Sequence, residues 1–427
     1  MRGISRRLIA VAAAVLVGAT AAPTVAQAQG KSYYKVGYFT QWGIYGRDFQ
    51  LSKVQASGAA AKLTHLNYAF GTVTADGLCA SADPWADWQT SFPAELSVDG
   101  VADVAGQPLA GNLNQLAELK KKNPDLRVLI SLGGWTLSKY FSDAALTPQS
   151  RAKFVTSCVD LWLKGNLPGL TPGVAAGIFD GVDIDWEWPG SDGNDGNVVR
   201  PEDKQDFTAM AAEFRKQFTA LSAKTHKHYD LTAFLPAAPA KIDAGFEGEK
   251  IFKYLDFGTV QGYDFHGSWE NRTNQQSSLR VPAGSPDNPD FSIENAINAW
   301  KAHGAPARQL VLGLPYYGQG WTGTTGSGLF APATGPAPAT FDAGYEDYKV
   351  LKTLTAKGYT LHRDLKAGNS WLSDGNTFWT YDDPIQLLQK TAYIRTTGLG
   401  GAMMWSLDAD DANATLTKTV SVGLWTP

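Results

Sequence analysis

Asp180-Gly181-Val182-Asp183-Ile184-Asp185-Trp186-Glu187 is the stretch from which the fold and the chemistry of this chain are read. Side chains on a β-strand alternate between faces, so Asp183, Asp185 and Glu187 share one side while Val182, Ile184 and Trp186 share the other. Three carboxylates in a row repel one another and resist desolvation, so a strand serving stability alone would not carry them. Crowding by anions raises proton affinity, the property a carboxylic acid needs to donate a proton near neutral pH. The row therefore reads as an acid–base site. Asp180 has the wrong parity and belongs to the start of the strand. A solvated edge strand is the alternative, but Ile178, Phe179, Val182 and Ile184 are apolar enough for a strand buried in a sheet.

Working outward, short apolar runs near residues 35–40, 63–71, 126–132, 178–187, 230–236, 256–264, 309–317 and 399–406 alternate with longer helical stretches. Thr147-Pro148 supplies a cap and a first-turn proline for a helix with an apolar face of Phe154, Val155, Cys158 and Trp162. Asp383-Pro384 does the same for a helix whose apolar residues are Ile385, Leu388 and Ala392. Eight βα units predict an α/β fold, a (β/α)8 TIM barrel with its site at the C-terminal strand ends, and Glu187 closes the fourth strand. An open doubly wound sheet is the rival, but no Gly-x-Gly-x-x-Gly turn follows the first strand.

Two connections are too long for simple loops. Residues 72–108 decorate the exit of the second strand. Residues 318–381, between the seventh and eighth strands, hold a helix-like stretch at 346–357 and strand-like runs at 358–363 and 376–381. They predict a small α+β insertion domain within a catalytic barrel spanning 29–427. No Gly/Ser-rich or Pro/Thr-rich tether leads to a separate binding module, so barrel plus insertion is the expected organisation.

Residues 1–28 read as a secretory signal peptide, with Arg2, Arg6 and Arg7, an apolar run from Leu8 to Val17, and Ala26-Gln27-Ala28 at the cleavage site. The apolar run is too short to anchor the chain in a bilayer, and the Arg6-Arg7 pair hints at twin-arginine export. Removal of the leader takes the net charge from −4 to −7. An acidic secreted chain with no basic cluster is a poor partner for nucleic acid or anionic membranes, and a monomer is expected. Six histidines without His-x-x-x-His or Cys-x-x-Cys spacing suggest no metal site. Cys79 and Cys158, an even pair in an oxidising compartment, are expected to bridge an irregular loop to a helix. The alternative is an unpaired Cys79 with Cys158 as a small buried hydrophobe.

With 14 Trp, 16 Tyr and 19 Phe the chain is Trp-rich for its size, and most of these rings are expected in the core. Trp42, Trp135, Trp269, Trp321 and Trp405 fall at or just beyond strand ends, where their faces suit a sugar-binding cleft, and Phe70 ends the second strand beside them.

The acidic row, with Trp186, Trp188 and Pro189 around it, resembles the Asp-x-x-Asp-x-Asp-x-Glu signature of family 18 glycoside hydrolases, the chitinases and their relatives. Four further motifs, two of them Gly37-Tyr38-Phe39 and Met403-Met404-Trp405-Ser406, extend the resemblance over residues 35 to about 425. Ser131-Leu132-Gly133-Gly134-Trp135 is similar to the family's Ser-x-Gly-Gly motif, which implies that Ser131 lies near the first Asp of the row and that Trp135 lines the cleft. Gln261-Gly262-Tyr263-Asp264 resembles its Met-x-Tyr-Asp motif, with Gln261 where Met is commoner. That match implies that Tyr263 holds the substrate's acetamido group and Asp264 contacts the sugar. Tyr38 would bond the buried Asp and Ser, and Trp405 would form the floor under a distorted sugar.

The resemblance implies a retaining, substrate-assisted hydrolase without a cofactor, acting on chitin and chito-oligosaccharides. Glu187 is then the general acid and base, Asp185 orients the 2-acetamido nucleophile, and Asp183 shares a proton with Asp185. Two other functions fit the same fold: an endo-β-N-acetylglucosaminidase on N-glycans, and a non-catalytic chitin-binding lectin, against which Glu187 speaks.

Overall fold

A computed structural model describes residues 33–286 and 291–425; the predicted signal peptide lies outside the described residues. The strands, in chain order, are β1 (Tyr34–Thr40), β2 (His65–Val73), β3 (Cys79–Ser81), β4 (Arg127–Gly133), β5 (Gly181–Asp185), β6 (Asp230–Leu235), β7 (Phe257–Val260), β8 (Leu310–Pro315), β9 (Tyr317–Thr322), β10 (Gly335–Pro336), β11 (Tyr345–Asp347), β12 (Thr360–Asp364), β13 (Asn369–Ser373), β14 (Thr377–Tyr381) and β15 (Gly401–Trp405).

Asp183 and Asp185 lie on β5, which ends two residues before Glu187 and not at it as predicted, and the alternation sorts the two faces as the sequence requires. Val182, Ile184 and Trp186 are buried against the helical layer, where Trp186 stacks on Phe141 at 5.5 Å. Burial of such side chains contributes roughly 1.5–3 kcal/mol each. Asp183 points the other way, into the barrel. Strands β1, β15, β8, β7, β6, β5, β4 and β2 are adjacent in that order, and β1 pairs with β2 to close an all-parallel barrel of eight. Closure removes the sheet edges and gathers all eight C-terminal strand ends at one mouth.

The two helix starts form as their sequences demand. Thr147 and Ser150 cap each other reciprocally, opening the helix Pro148–Cys158, and Phe154, Val155, Cys158 and Trp162 are buried. Asp383 accepts from the Ile385 N–H at 2.8 Å, opening the helix Pro384–Thr397. The face predicted for this second helix needs correction, because Ile385 and Leu388 are exposed and its buried side is Gln386, Leu387, Lys390, Thr391, Tyr393 and Ile394. Polar groups sit inside because partners wait for them: Gln386 reaches the Asn369 carbonyl, and Lys390 pairs with Asp382.

Cys79 and Cys158 form a disulfide, with Cα atoms 4.9 Å apart. Cys79 is not in an irregular loop. It begins β3, which pairs antiparallel with Gly71–Val73 of β2. The insertion is a second, antiparallel sheet in the order β10-β9-β14-β13-β12, with β11 on β9. Its helical content is shorter than the predicted 346–357, one turn at Tyr348–Leu351 and a 3₁₀ turn at Leu354–Lys357. Residues Tyr33–Trp425 cluster as one compact unit, so barrel and insertion share their packing. Among the described residues no helix is long and apolar enough to cross a membrane.

Candidate active site

At the C-terminal mouth of the barrel lies a cleft of about 740 Å³. Tyr38, Trp42, Phe70, Trp135, Asp185, Glu187, Gln261, Tyr263, Asp264, Trp269 and Trp405 all line it, from parts of the chain more than 360 residues apart. Trp42 stacks on Phe70 at 5.8 Å, Phe70 on Trp405 at 5.9 Å, and Trp405 meets Tyr38 edge-on at 5.1 Å. Beside this run of rings, Trp42 is 40%, Trp135 50% and Trp269 63% exposed, open to a ligand with apolar faces.

Trp321 is a correction. It is fully buried in the insertion against Trp371 and Phe378, and its indole N–H donates to the Glu270 carbonyl at 3.0 Å. Its position just past a strand end is real, but β9 continues as insertion sheet there and turns the ring inward. Ser131 does not line the cleft either; it lies beneath, as the parity of β4 dictates.

The first Asp of the row is the best satisfied. Asp183 Oδ2 accepts from Tyr38 at 2.6 Å and Ser131 at 2.8 Å, and its Oδ1 accepts from Thr232 at 2.5 Å. Burial still lifts its carboxyl above the ordinary range, against the pull of those donors. Asp185, next along the row, has an Oδ1 with no hydrogen-bond partner among the described residues. Burial, then the charges of Glu187 and Asp183, push its carboxyl well up.

Glu187 ends the row at the cleft wall. Burial and the Asp264 charge push its carboxyl up to about 8, while Lys241 opposes them. Its main chain is clamped: the N–H donates to Ser138 Oγ at 2.9 Å, and the carbonyl accepts from Asn197 at 2.9 Å. Ser138 Oγ in turn donates to the carbonyls of Gly134 and Asp185. Gly133 and Gly134, both at positive φ, allow this approach, since a Cβ on Gly133 would stand 2.3 Å from the Asp185 carbonyl oxygen.

Across the cleft, Tyr263 is buried between Phe234 and Tyr317. Asp264 reaches solvent through the cleft mouth but accepts from Tyr317 at 2.6 Å and Gln319 at 3.0 Å on its protein side. The burial of that protein side outweighs both donors and raises its carboxyl. Sequence reasoning missed Thr232, Ser138, Lys241, Tyr317 and Gln319. Only Thr232 left a signal, a polar residue within the apolar run Leu231–Leu235 at the register of Asp183. Among the described residues one group with metal-ligand spacing, His228, Asp230 and Asp256, lies at the opposite end of the barrel, where Arg127 and Arg215 already pair with the carboxylates.

The profile of the glycosyl hydrolases family 18 matches residues 35–410. The chain belongs to that family. Among relatives of this family 18 chain, chitinase C of Streptomyces lividans is 40% identical over 89% of the chain, and chitinase A1 of Niallia circulans 35% identical over 94%. The chain spans 58% and 60% of their respective lengths. The catalytic domain of psychrophilic chitinase B from Arthrobacter TAD20 superposes with a TM-score of 0.88 at 46% identity, covering 92% of this chain and 95% of that one. Chitinase ChiA74 from Bacillus thuringiensis gives 0.80 at 32% identity, with 92% and 70% covered. The eight-stranded parallel barrel with an antiparallel insertion is thus the architecture of this family 18 chain.

Proposed function

We propose that the protein is a secreted, extracellular chitinase that hydrolyses β-1,4 linkages of N-acetylglucosamine polymers with retention, its nucleophile being the substrate's own 2-acetamido group. The observation that carries this reading is the placing of Glu187, whose carboxyl is pushed up to about 8, with Asp185 in the wall of one cleft lined by aromatic rings. Glu187 gives its proton to the glycosidic oxygen as the bond to the anomeric carbon breaks. The acetamido carbonyl oxygen closes on that carbon, forming an oxazolinium-like ion. Asp185 accepts the amide N–H and offsets the positive charge, and Tyr263 donates to the carbonyl oxygen, so the nucleophile is held in line before the bond breaks. Water then attacks the same carbon, Glu187 takes its proton, and two inversions leave the original anomer. Asp183 is saturated by Tyr38, Ser131 and Thr232 and acts through Asp185 as a buried source of negative charge and proton affinity.

Proton NMR of the first products from soluble chito-oligosaccharides tests this. The β-anomer is expected, with turnover lost when the sugar in the cleavage subsite is deacetylated. Glu187→Gln should lower kcat by about 10²–10⁴-fold while oligosaccharide binding persists. Early α-anomer, or equal turnover of the deacetylated sugar, overturns the mechanism. Turnover of N-glycan cores alone, or binding with no turnover at all, moves the protein to the endoglycosidase or lectin reading.

A further inference from the structure

Past Val260 the chain leaves β7, and the backbone of Tyr263 and Asp264 loses the support of the barrel sheet. Asp264 adopts a left-handed φ of 56°, a conformation that a non-glycine residue keeps only when its surroundings impose it. Residues 274–278 impose it. The Phe265 N–H donates to the Gln276 carbonyl at 3.0 Å, and the Ser277 hydroxyl donates to the Gly262 carbonyl at 2.6 Å, bracketing the two site residues from both sides. Gln276 Nε2 also donates to the main-chain carbonyl of Tyr317, the residue whose hydroxyl bonds Asp264.

Behind Ser277 stands a charge. Lys390, from the helix Pro384–Thr397, donates from Nζ to Ser277 Oγ at 2.6 Å and to Asp382 Oδ2, and both members of the ion pair are buried. A buried ion pair is a poor device for stability, since desolvation offsets much of its attraction. This one is set against a hydroxyl that reaches the Gly262 carbonyl on one side and the Asp382 carboxylate on the other. Donation from an ammonium polarises the hydroxyl and strengthens its bond onward to Gly262.

We propose that Asp382, Lys390 and Ser277 form a positioning relay that fixes Tyr263 and Asp264 against the reacting sugar, an inference that rests on the glycosidase reading above. None of the three lines the cleft, so they act through the Gly262 carbonyl and not on substrate.

Steady-state kinetics of the full chain on a soluble chito-oligosaccharide test it. Ser277→Ala should lower kcat by about tenfold or more with KM changed less than about twofold, because the loss is in orientation and not in ground-state contact. Ser277→Thr, which keeps the hydroxyl, should restore most of kcat. Affinity for a stable mimic of the oxazolinium ion should fall in step with kcat, whereas substrate affinity measured in a Glu187→Gln background should not. The paired change Lys390→Met with Asp382→Asn removes both charges together, avoids an orphaned ion, and should reproduce the kcat loss in protein shown to be folded by circular dichroism. Wild-type kcat in both Ser277→Ala and the paired variant overturns the relay, as does a kcat loss that tracks the folded fraction and is not rescued by Thr. A wild-type protein that leaves chito-oligosaccharides intact removes the glycosidase reading and the relay with it; an active wild type with indifferent variants removes the relay alone.

Discussion

Glu187 sits among groups of opposing effect. Burial and Asp264 raise its proton affinity, Lys241 lowers it, and Asp185 shares the same wall. A proton donor fails as pH rises through its pKa, so the alkaline limb of kcat/KM should report this residue. Lys241 is held by the carbonyl and carboxylate of Asp192 and is the cation nearest the acid in that cleft wall. Removing its charge in Lys241→Met should move the alkaline limb up by roughly a few tenths of a pH unit, and a downward shift would contradict the assignment. The same burial has a cost for the fold. A carboxyl whose folded pKa lies near 8, against an ordinary 4.5, leaves the folded state with more bound protons than the unfolded one between those values. Stability therefore falls as pH rises through that window. Glu187→Gln should melt about 1–3 °C higher than wild type near pH 8, with the advantage vanishing near pH 4, as thermal unfolding across pH will show.

Single elements carry the next level of organisation. The short strand β3 makes only three residue pairs with β2, too little to hold residues 72–108 against the barrel by itself. The Cys79–Cys158 bond ties it to the end of the helix Pro148–Cys158, and the Cys79 N–H adds a bond to Ser157 Oγ at 2.8 Å. With the cysteines 79 positions apart in the sequence, closing the loop is worth about 4–5 kcal/mol in the chain-entropy account. Reduction, or Cys79→Ala with Cys158→Ala, should lower the denaturation midpoint accordingly. Since neither cysteine lines the cleft, kcat at low temperature should stay near wild type. An unchanged midpoint would assign the stability of this loop to its packing alone.

At the scale of the molecule, the insertion is tied to the barrel by buried charge. Arg47, in the loop after β1, bonds Asp347 of β11 at 2.7 Å and Asp408, just past β15, at 3.1 Å, and stacks over Phe341. Lys349 joins the same two residues, pairing with the Asp347 carboxylate and donating to the Asp408 carbonyl. Two cleft-lining segments meet the insertion at this point: the loop that carries Trp42 and the strand end that carries Trp405. Arg47→Met should destabilise the protein by about 3 kcal/mol, since it leaves buried carboxylates under-compensated. It should also raise KM for long oligosaccharides more than for short ones. Equal KM changes at all lengths would show that the clamp does not shape the outer cleft.

The acidic row, its strand parity, the eight-fold βα alternation and the two capped helix starts were legible in the sequence because each depends on neighbours within a few residues. Tyr38, Ser131, Tyr263, Asp264 and Trp405 were grouped in one site through the resemblance to family 18 motifs, and the closed barrel brings those strand ends to one mouth. What the tertiary structure alone decided is whatever depends on partners distant in the chain. Thr232 meets Asp183 through the register of β5 on β6, and Ser138 crosses back to Glu187 only because two glycines let the backbones touch. Trp321 turned from cleft to core once β9 joined a second sheet, and the helix Pro384–Thr397 buried Lys390 in place of Leu388 because Asp382 and Ser277 were there to receive its charge. Hydrophobic period tells which face of an element is greasy; which face is inside depends on whether the polar groups opposite find partners, and those partners exist only in the folded molecule.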